Sequence, residues 1–374
     1  MLCPVDFRTR SGDAPPMRSR KLLAACCAPI LVLLLGCPSK EKVGSNAMAV
    51  LGPGVVNDPK NKSLRFDILQ FGLERFCQEM TRRSVPLKLA DDQPVLGRYF
   101  ADTCSSQVLD DENRKSFVVQ YAGKGYAWTN LTKRVGFKAA GLVEYAPDFQ
   151  LHEGSMYVYF RPRRIDATSF ETRMVESAAA QTGIAVTGTD ADAVGQNIVK
   201  GQLQRGFTVI RYDSDGTTEF GLGYIAKGAQ PFKPYRVENS DKLILANDRT
   251  EVHSEQQDYI GGFEVLDEGQ ALYFTISLDG APEVDAFVVP KGNGDLMIES
   301  YLGSPGPTRL TAPPVLDEPI RSGSPWKRFL TLPKGLYYLV IDHSKEVGHV
   351  APPAQAGDDR AAKLDYLVQL GEAP

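Results

Sequence analysis

Short apolar segments bounded by glycine, proline or aspartate recur through the last third of the chain. They occupy residues 242–246, 258–266, 270–279, 284–290, 296–302, 326–332, 336–343 and 364–370. Helical periodicity is almost absent from this region, and short runs rich in Val, Ile, Phe and Tyr are typical of strands. Many short strands at such spacing predict an antiparallel β-sandwich over residues 229–374.

The preceding region, residues 63–228, mixes helical and strand patterns. Apolar residues at intervals of three and four, with Asn61 or Ser63 as the cap, predict one amphipathic helix; they are Phe66, Leu69, Leu73, Phe76 and Met80. Strands are expected at 116–121, 135–145 and 155–161, and further helices at 168–180 and 193–203. A hairpin is expected over 206–226, because Asp215-Gly216 suits a tight turn. This order predicts an α+β domain, joined to the sandwich by the linker 227–235.

An uncharged apolar run covers residues 22–36, follows Arg18, Arg20 and Lys21, and ends at Cys37. It is shorter than the roughly 20 residues that a membrane-spanning helix needs, and its basic flank is typical of an export signal. The tetrad Leu34-Leu35-Gly36-Cys37 resembles the lipobox of bacterial lipoproteins. The resemblance implies cleavage before Cys37, a diacylglyceryl thioether on its sulfur and acylation of its new amino group.

This resemblance assigns residues 1–36 to an extension plus signal peptide, and 37–62 to the lipidated cysteine and a flexible tether. A start at Met17 gives a compact signal, so residues 1–16 are expected to be either a mis-assigned start or a dispensable extension. The membrane is then a partner through the lipid, and several chains on one residue give durable anchoring. Pro38 after the anchor favours the outer membrane of the cell envelope, on its periplasmic or surface face. An uncleaved signal-anchor helix and a simple secretory peptide remain alternatives.

Cysteine usage agrees with export. Cys3, Cys26 and Cys27 lie in the leader, and only Cys77 and Cys104 remain beyond the anchor. Such a pair in an oxidising compartment predicts a disulfide, which would contribute about 3–4 kcal/mol in the chain-entropy model. Two buried thiols are the alternative.

The sandwich region also resembles a known family. Asp258, Gly269-Gln270, Asp285, Gly335 and Tyr337-Tyr338 follow one another as in the bacterial pre-peptidase C-terminal domain. Glu283 departs from that pattern, which has an aspartate at this place. The resemblance spans about 115 residues and implies a β-sandwich accessory module that binds or positions, with no chemistry of its own.

Charge and motifs exclude several functions. Removing the five basic and two acidic residues of 1–36 takes the net charge from −4 to −7, which argues against nucleic acid. No cofactor motif, catalytic set or metal-ligand spacing is present. His343 and His349 are six residues apart in what the sequence suggests is a loop, and are expected to be solvated surface residues. The cluster Arg161-Pro-Arg163-Arg164 is expected to be a solvated strand end, with phosphate or carboxylate binding as the alternative.

The sequence therefore predicts a membrane-anchored envelope lipoprotein that is not an enzyme and that has a binding or structural role, with an unidentified protein, polymer or lipid as its partner. Two alternatives stay open. One is a carrier of apolar or lipid ligands in residues 63–228. The other is an exported hydrolase that carries the sandwich as an accessory.

Overall fold

The computed structural model describes residues 54–73, 75–112, 114–130, 132–152, 155–180, 204–212, 218–222, 229–237, 241–352 and 360–374, with residues 182, 192, 201 and 225. The described residues belong to one compact unit. None of the helices within the described ranges combines the length and the apolar character that crossing a membrane requires. The chain is mostly antiparallel β.

The first half begins with a 3₁₀ turn at Pro59–Asn61, followed by α1 (Lys62–Leu73) and α2 (Phe76–Arg82). Seven strands then pair in chain order into one antiparallel meander, called sheet I. They are β1 (Ser84–Leu87), β2 (Gly97–Asp111), β3 (Arg114–Thr129), β4 (Lys133–His152), β5 (Ser155–Val175), β6 (Phe207–Tyr212) and β7 (Thr218–Leu222). The sheet curls into a half-barrel, and its two outermost strands, β1 and β7, approach each other.

The two helices fill the inside of this curl. Alternate residues of β3, β4 and β5 point inward, as the two-residue repeat of a strand requires, and pack on Leu69 and Leu73 of α1. The ring of Phe76 on α2 lies 5.1 Å from that of Phe117 and 5.3 Å from that of Phe160, centre to centre. Phe160 in turn stacks on Phe207 at 4.4 Å. Aromatic side chains therefore occupy the interior of sheet I.

Two four-stranded antiparallel sheets form the second half. Sheet II has the order β13-β10-β15-β8, and sheet III has the order β12-β11-β14-β9. Their strands are β8 (Leu243–Val252), β9 (Gln256–Val265), β10 (Gln270–Asp279), β11 (Glu283–Pro290), β12 (Leu316–Arg321), β13 (Trp326–Thr331), β14 (Gly335–His343) and β15 (Ala362–Glu372). Leu272 and Phe274 of sheet II share one core with Val284 and Ala286 of sheet III. The predicted arrangement of antiparallel strands in this half is confirmed.

A helix that the sequence did not predict, α3 (Lys291–Gly303), lies on the outer face of sheet III. Its buried residues Met297, Ile298, Tyr301 and Leu302 pack on Tyr338, and Tyr126 of sheet I joins the same apolar cluster. The helix also touches sheet I, where Lys124 and Arg173 both pair with Glu299. It therefore packs against both halves of the molecule.

Several sequence predictions are wrong in detail. Residues 168–175 belong to β5, not to a helix, because they pair with β4. Residues 296–302 belong to α3, not to a strand. The first predicted helix is interrupted between Leu73 and Phe76, and the dominance of sheet I leaves an α+β N-terminal domain unconfirmed. The predicted helix at 193–203 and the turn at Asp215-Gly216 fall largely or wholly outside the described residues, although β6 and β7 pair as a hairpin should.

Candidate functional site

Of the residues that the sequence singled out, Cys37 lies outside the described residues. Cys77 and Cys104 form the predicted disulfide, with their Cα atoms 5.1 Å apart. The bridge ties α2 to β2 beside the core of sheet I. The disulfide therefore has a structural role.

The polar chemistry of the molecule is concentrated where sheet I meets the sandwich. Arg98 of β2 donates from Nε and Nη2 to the two carboxylate oxygens of Asp258 on β9, at 2.6 and 2.7 Å. The hydroxyls of Tyr126 and Thr250 donate to the same carboxylate at 2.7 and 2.8 Å. Both charged side chains are buried, and the adjacent Asp258 raises the pKa of Arg98 despite this burial. Strands of all three sheets therefore converge on one carboxylate.

A second set of contacts reinforces this junction. Lys88 donates to Asp248 on β8 at 2.5 Å, with both side chains largely buried. The backbone of Val95 forms a parallel bridge to β8 through bonds of 2.8 and 3.1 Å. Ser84 bonds to the backbone of Gly261 on β9. Sheet I is thus joined to both sheets of the sandwich by buried polar contacts.

A small recess at this junction, called the Arg134 pit, is the candidate functional site. Arg134 and Trp128 are cross-strand partners at the β3–β4 turn. His253 comes from the turn between β8 and β9, Gln256 is the first residue of β9, and Tyr301 comes from α3. The pit encloses about 20 Å³, which is room for one or two water molecules. Elements distant in sequence therefore meet around one recess.

Arg134 is buried and only partly satisfied. Its Nη2 donates to the carbonyl oxygens of Ser304 and Gly306, at 2.7 and 3.0 Å, and lies 3.4 Å from a carboxylate oxygen of Glu176. The guanidinium lies 3.6 Å from the ring centre of Tyr301, a cation–π distance. Its Nε and Nη1 have no hydrogen-bond partner among the described residues. A buried charge with unpaired donors is costly, so this guanidinium has unused binding capacity.

The walls of the pit are aromatic and acidic. The rings of Trp128 and His253 stack in parallel, 3.3 Å apart between centres. His253 Nε2 lies 3.0 Å from a carboxylate oxygen of Glu251, and this contact lowers the pKa of Glu251. Gln256 donates to Glu176 at 2.5 Å and accepts from the Tyr301 hydroxyl at 2.9 Å.

The pit is suited to binding more than to nucleophilic chemistry. It combines a cation, flat aromatic walls and amide groups, which can hold and orient a small polar group. None of the described residues that line it is serine, threonine or cysteine. In the described part of the chain, three or more His, Cys, Asp or Glu side chains do not cluster in a way that could hold a metal ion.

A second polar cluster lies on the outer face of sheet III. Asp342 accepts from Gln257 at 2.6 Å and from the backbone of Ser344 at 3.1 Å. Its cross-strand partner Asp285 accepts from the backbone of His349 and Val350, both at 2.8 Å. Burial raises the pKa of Asp342 to about 7 and also raises that of Asp285. These carboxyls hold the 344–350 loop against the sheet.

The structure places the other sequence candidates apart from the pit. His343 is buried in β14, with Nδ1 3.2 Å from the carbonyl oxygen of Val252, so its prediction as a solvated loop residue is wrong. His349 is exposed, as expected. Arg163 and Arg164 lie inside β5, which continues to Val175, so they do not form a strand end. Sequence reasoning named neither Trp128 nor Arg134, and the rarity of tryptophan was the one available signal for Trp128.

Comparisons with known proteins leave the chain without an assigned family. No protein-family model and no curated protein matches it. Among solved structures, a beta-fructofuranosidase from Bombyx mori, BmSUC1 of family GH32, matches with 8% identity. The match covers 77% of this chain and 78% of that chain, with a TM-score of 0.16. A similarity this low carries no argument about fold or function.

Proposed function

We propose that this protein is an exported lipoprotein of the cell envelope, anchored through Cys37, and that its β-rich body binds a ligand without catalysing a reaction. The tetrad Leu34–Cys37, at the end of a short apolar run with a basic flank, carries the anchoring part. The outer membrane is the proposed location, because proline follows the modified cysteine.

Metabolic labelling tests the anchor. Cells that express the full chain are grown with a labelled fatty acid, and the protein is then isolated. The wild type should carry label, and Cys37→Ala should not. Cys27→Ala, which removes another cysteine of the same leader, should keep the label. Label retained in Cys37→Ala would refute the proposed anchor.

The Arg134 pit supports binding over catalysis, because it offers an arginine beside aromatic and amide side chains, and its described lining includes no serine, threonine or cysteine. This makes a hydrolase the weaker alternative. The pre-peptidase-like character of residues 229–374 remains part of the proposal, and the two packed sheets of this region are consistent with it.

The alternative of an apolar-ligand carrier gains no support from the described interior of residues 63–228. The inner face of sheet I packs on α1 and α2, and the rings of Phe76, Phe117, Phe160 and Phe207 fill the space between them. A ligand could enter only if the helices moved. The disulfide at Cys77 restrains α2 against such a movement.

A further inference from the structure

We infer that the Arg134 pit is a binding site for a carboxylate group, supplied by a small organic acid or by the end of a carboxyl-bearing polymer. The inference deepens the proposed binding role and rests on it, but it does not depend on the anchor at Cys37. The inference rests on the buried guanidinium of Arg134, which has unpaired donors among the described residues and lies against the ring of Tyr301.

The first step of the argument is the unused donors. Arg134 is fully buried, yet its Nε and Nη1 have no hydrogen-bond partner among the described residues. The contacts it does make all use Nη2 or the face of the guanidinium. Buried donors are normally paired, and an ionised acceptor gives the strongest pairing to a guanidinium. An anion of suitable size is therefore the expected occupant.

Size and shape select a carboxylate among anions. The pit is small, about 20 Å³, and the flat side chains of Trp128 and Tyr301 both belong to its lining. A carboxylate is planar and matches the flat fork of arginine. A phosphate group is tetrahedral and larger, so it should fit less well.

Charge limits the affinity. Glu176 lies 3.4 Å from the guanidinium, and Glu251 belongs to the wall, so an incoming anion meets partly neutralised charge. Trp128 and Glu251 are among the few partly exposed lining residues, so they mark the side of the pit that faces solvent. A group of this size should bind with a dissociation constant of about 1–10 mM on its own. A larger acid that also stacks on Trp128 should bind more tightly.

Tryptophan fluorescence provides a direct readout. The chain has two tryptophans, Trp128 at the pit and Trp326 in the sandwich core. In a full-length Trp326→Phe variant, Trp128 is the only tryptophan. Sodium acetate is titrated against sodium chloride at constant ionic strength, and emission is recorded. Acetate should produce a saturable change and chloride should not. Sodium phosphate should bind at least several-fold more weakly than acetate. N-acetylalanine represents the carboxyl end of a polymer, and its affinity is compared with that of acetate, which represents a free acid.

Substitutions in the same background assign the response to Arg134. Arg134→Lys keeps the positive charge but loses the fork, and should weaken acetate binding about tenfold. Arg134→Met should abolish the response. Arg164→Met removes an exposed arginine elsewhere on sheet I and should leave the response unchanged. Circular dichroism establishes whether each variant is folded. If Arg134→Met does not fold, the comparison of Arg134→Lys with the parent protein tests the inference.

Three outcomes would overturn the inference: no saturable response to acetate, an equal response to chloride, or an unchanged response in Arg134→Lys. Tighter binding of phosphate would overturn the choice of carboxylate. Stronger binding of N-acetylalanine than of acetate would assign the site to a polymer end, and the reverse would assign it to a free acid. Loss of acetate binding leaves the lipid labelling of Cys37 unaffected, so failure of this inference and failure of the anchor are distinguishable.

Discussion

Arg98 and Asp258 form a buried bidentate ion pair that joins sheet I to the sandwich across 160 residues of sequence. Their side chains are 2% and 5% exposed, so neither charge is compensated by bulk water. Tyr126 and Thr250 satisfy the same carboxylate. Each of the two halves therefore contributes the counter-ion for a buried charge of the other.

Removing one partner of this pair should destabilise the whole molecule. Asp258→Asn leaves Arg98 charged and buried without a counter-ion, which is expected to cost about 3–5 kcal/mol. Urea unfolding should show a lower midpoint for both halves in one transition. Arg98→Met should cost a similar amount, and the double variant should cost less than the two single changes added together, because neither charge is then left alone.

Glu264→Gln is the matched control for Asp258→Asn. Glu264 also pairs across this junction, with Arg82, but both side chains are partly exposed. An exposed ion pair contributes about 0–1 kcal/mol, so this change should be nearly neutral. Equal losses in Asp258→Asn and Glu264→Gln would contradict the role assigned to burial.

The disulfide should contribute a large part of the stability of the first half. Replacing Cys77 and Cys104 together with alanine should lower the free energy of unfolding by about 3–4 kcal/mol, because the unfolded chain regains a loop of 27 residues. A reductant should lower the unfolding midpoint of the wild type toward that of the variant and leave the variant unchanged. A wild type insensitive to full reduction would argue against this contribution.

The β elements of the second half were accessible from sequence because each is a local pattern. Residues 270–279 alternate between the core and the surface and were predicted with the bounds of β10. The disulfide was accessible because only two cysteines remain after the leader and the anchor are set aside.

Features that depend on distant contacts were not accessible. Residues 168–175 contain good helix formers, but pairing with β4 outweighs that local preference. The Arg134 pit joins the β3–β4 turn, the β8–β9 turn and α3. No pattern of residue spacing in the sequence predicts that these three elements meet.

Asp342 should make stability depend on pH. Its pKa is raised to about 7 in the folded protein by burial, whereas an unfolded aspartate titrates near 4. Between these values the folded state holds a proton that the unfolded state has lost, so the free energy of unfolding falls as pH rises from about 4 to about 7. Asp342→Asn should reduce this slope, by up to about 1 kcal/mol per pH unit.

Urea titrations at pH 5 and pH 8 measure that slope in both proteins. Asp285, whose pKa is raised in the same direction, should leave a residual slope in Asp342→Asn. The exposed Asp241→Asn serves as a control and should keep the slope of the wild type. A slope unchanged in Asp342→Asn would rule out this carboxyl as its source.

Two glycines of α3 show why that helix was missed, and they provide a matched pair of substitutions. Gly292 and Gly294 lower the helix propensity of the first turns, but only Gly294 is required by packing. A Cβ at Gly294 would lie 2.4 Å from the ring of Tyr338, which is buried and bonded to Asp295. Gly294→Ala should therefore destabilise the protein by about 1–3 kcal/mol.

At Gly292 nothing lies within 4 Å of a Cβ, so Gly292→Ala should be neutral or stabilising by up to about 1 kcal/mol. Thermal unfolding of the two variants measures the difference, and similar midpoints would show that α3 can move away from sheet III at little cost.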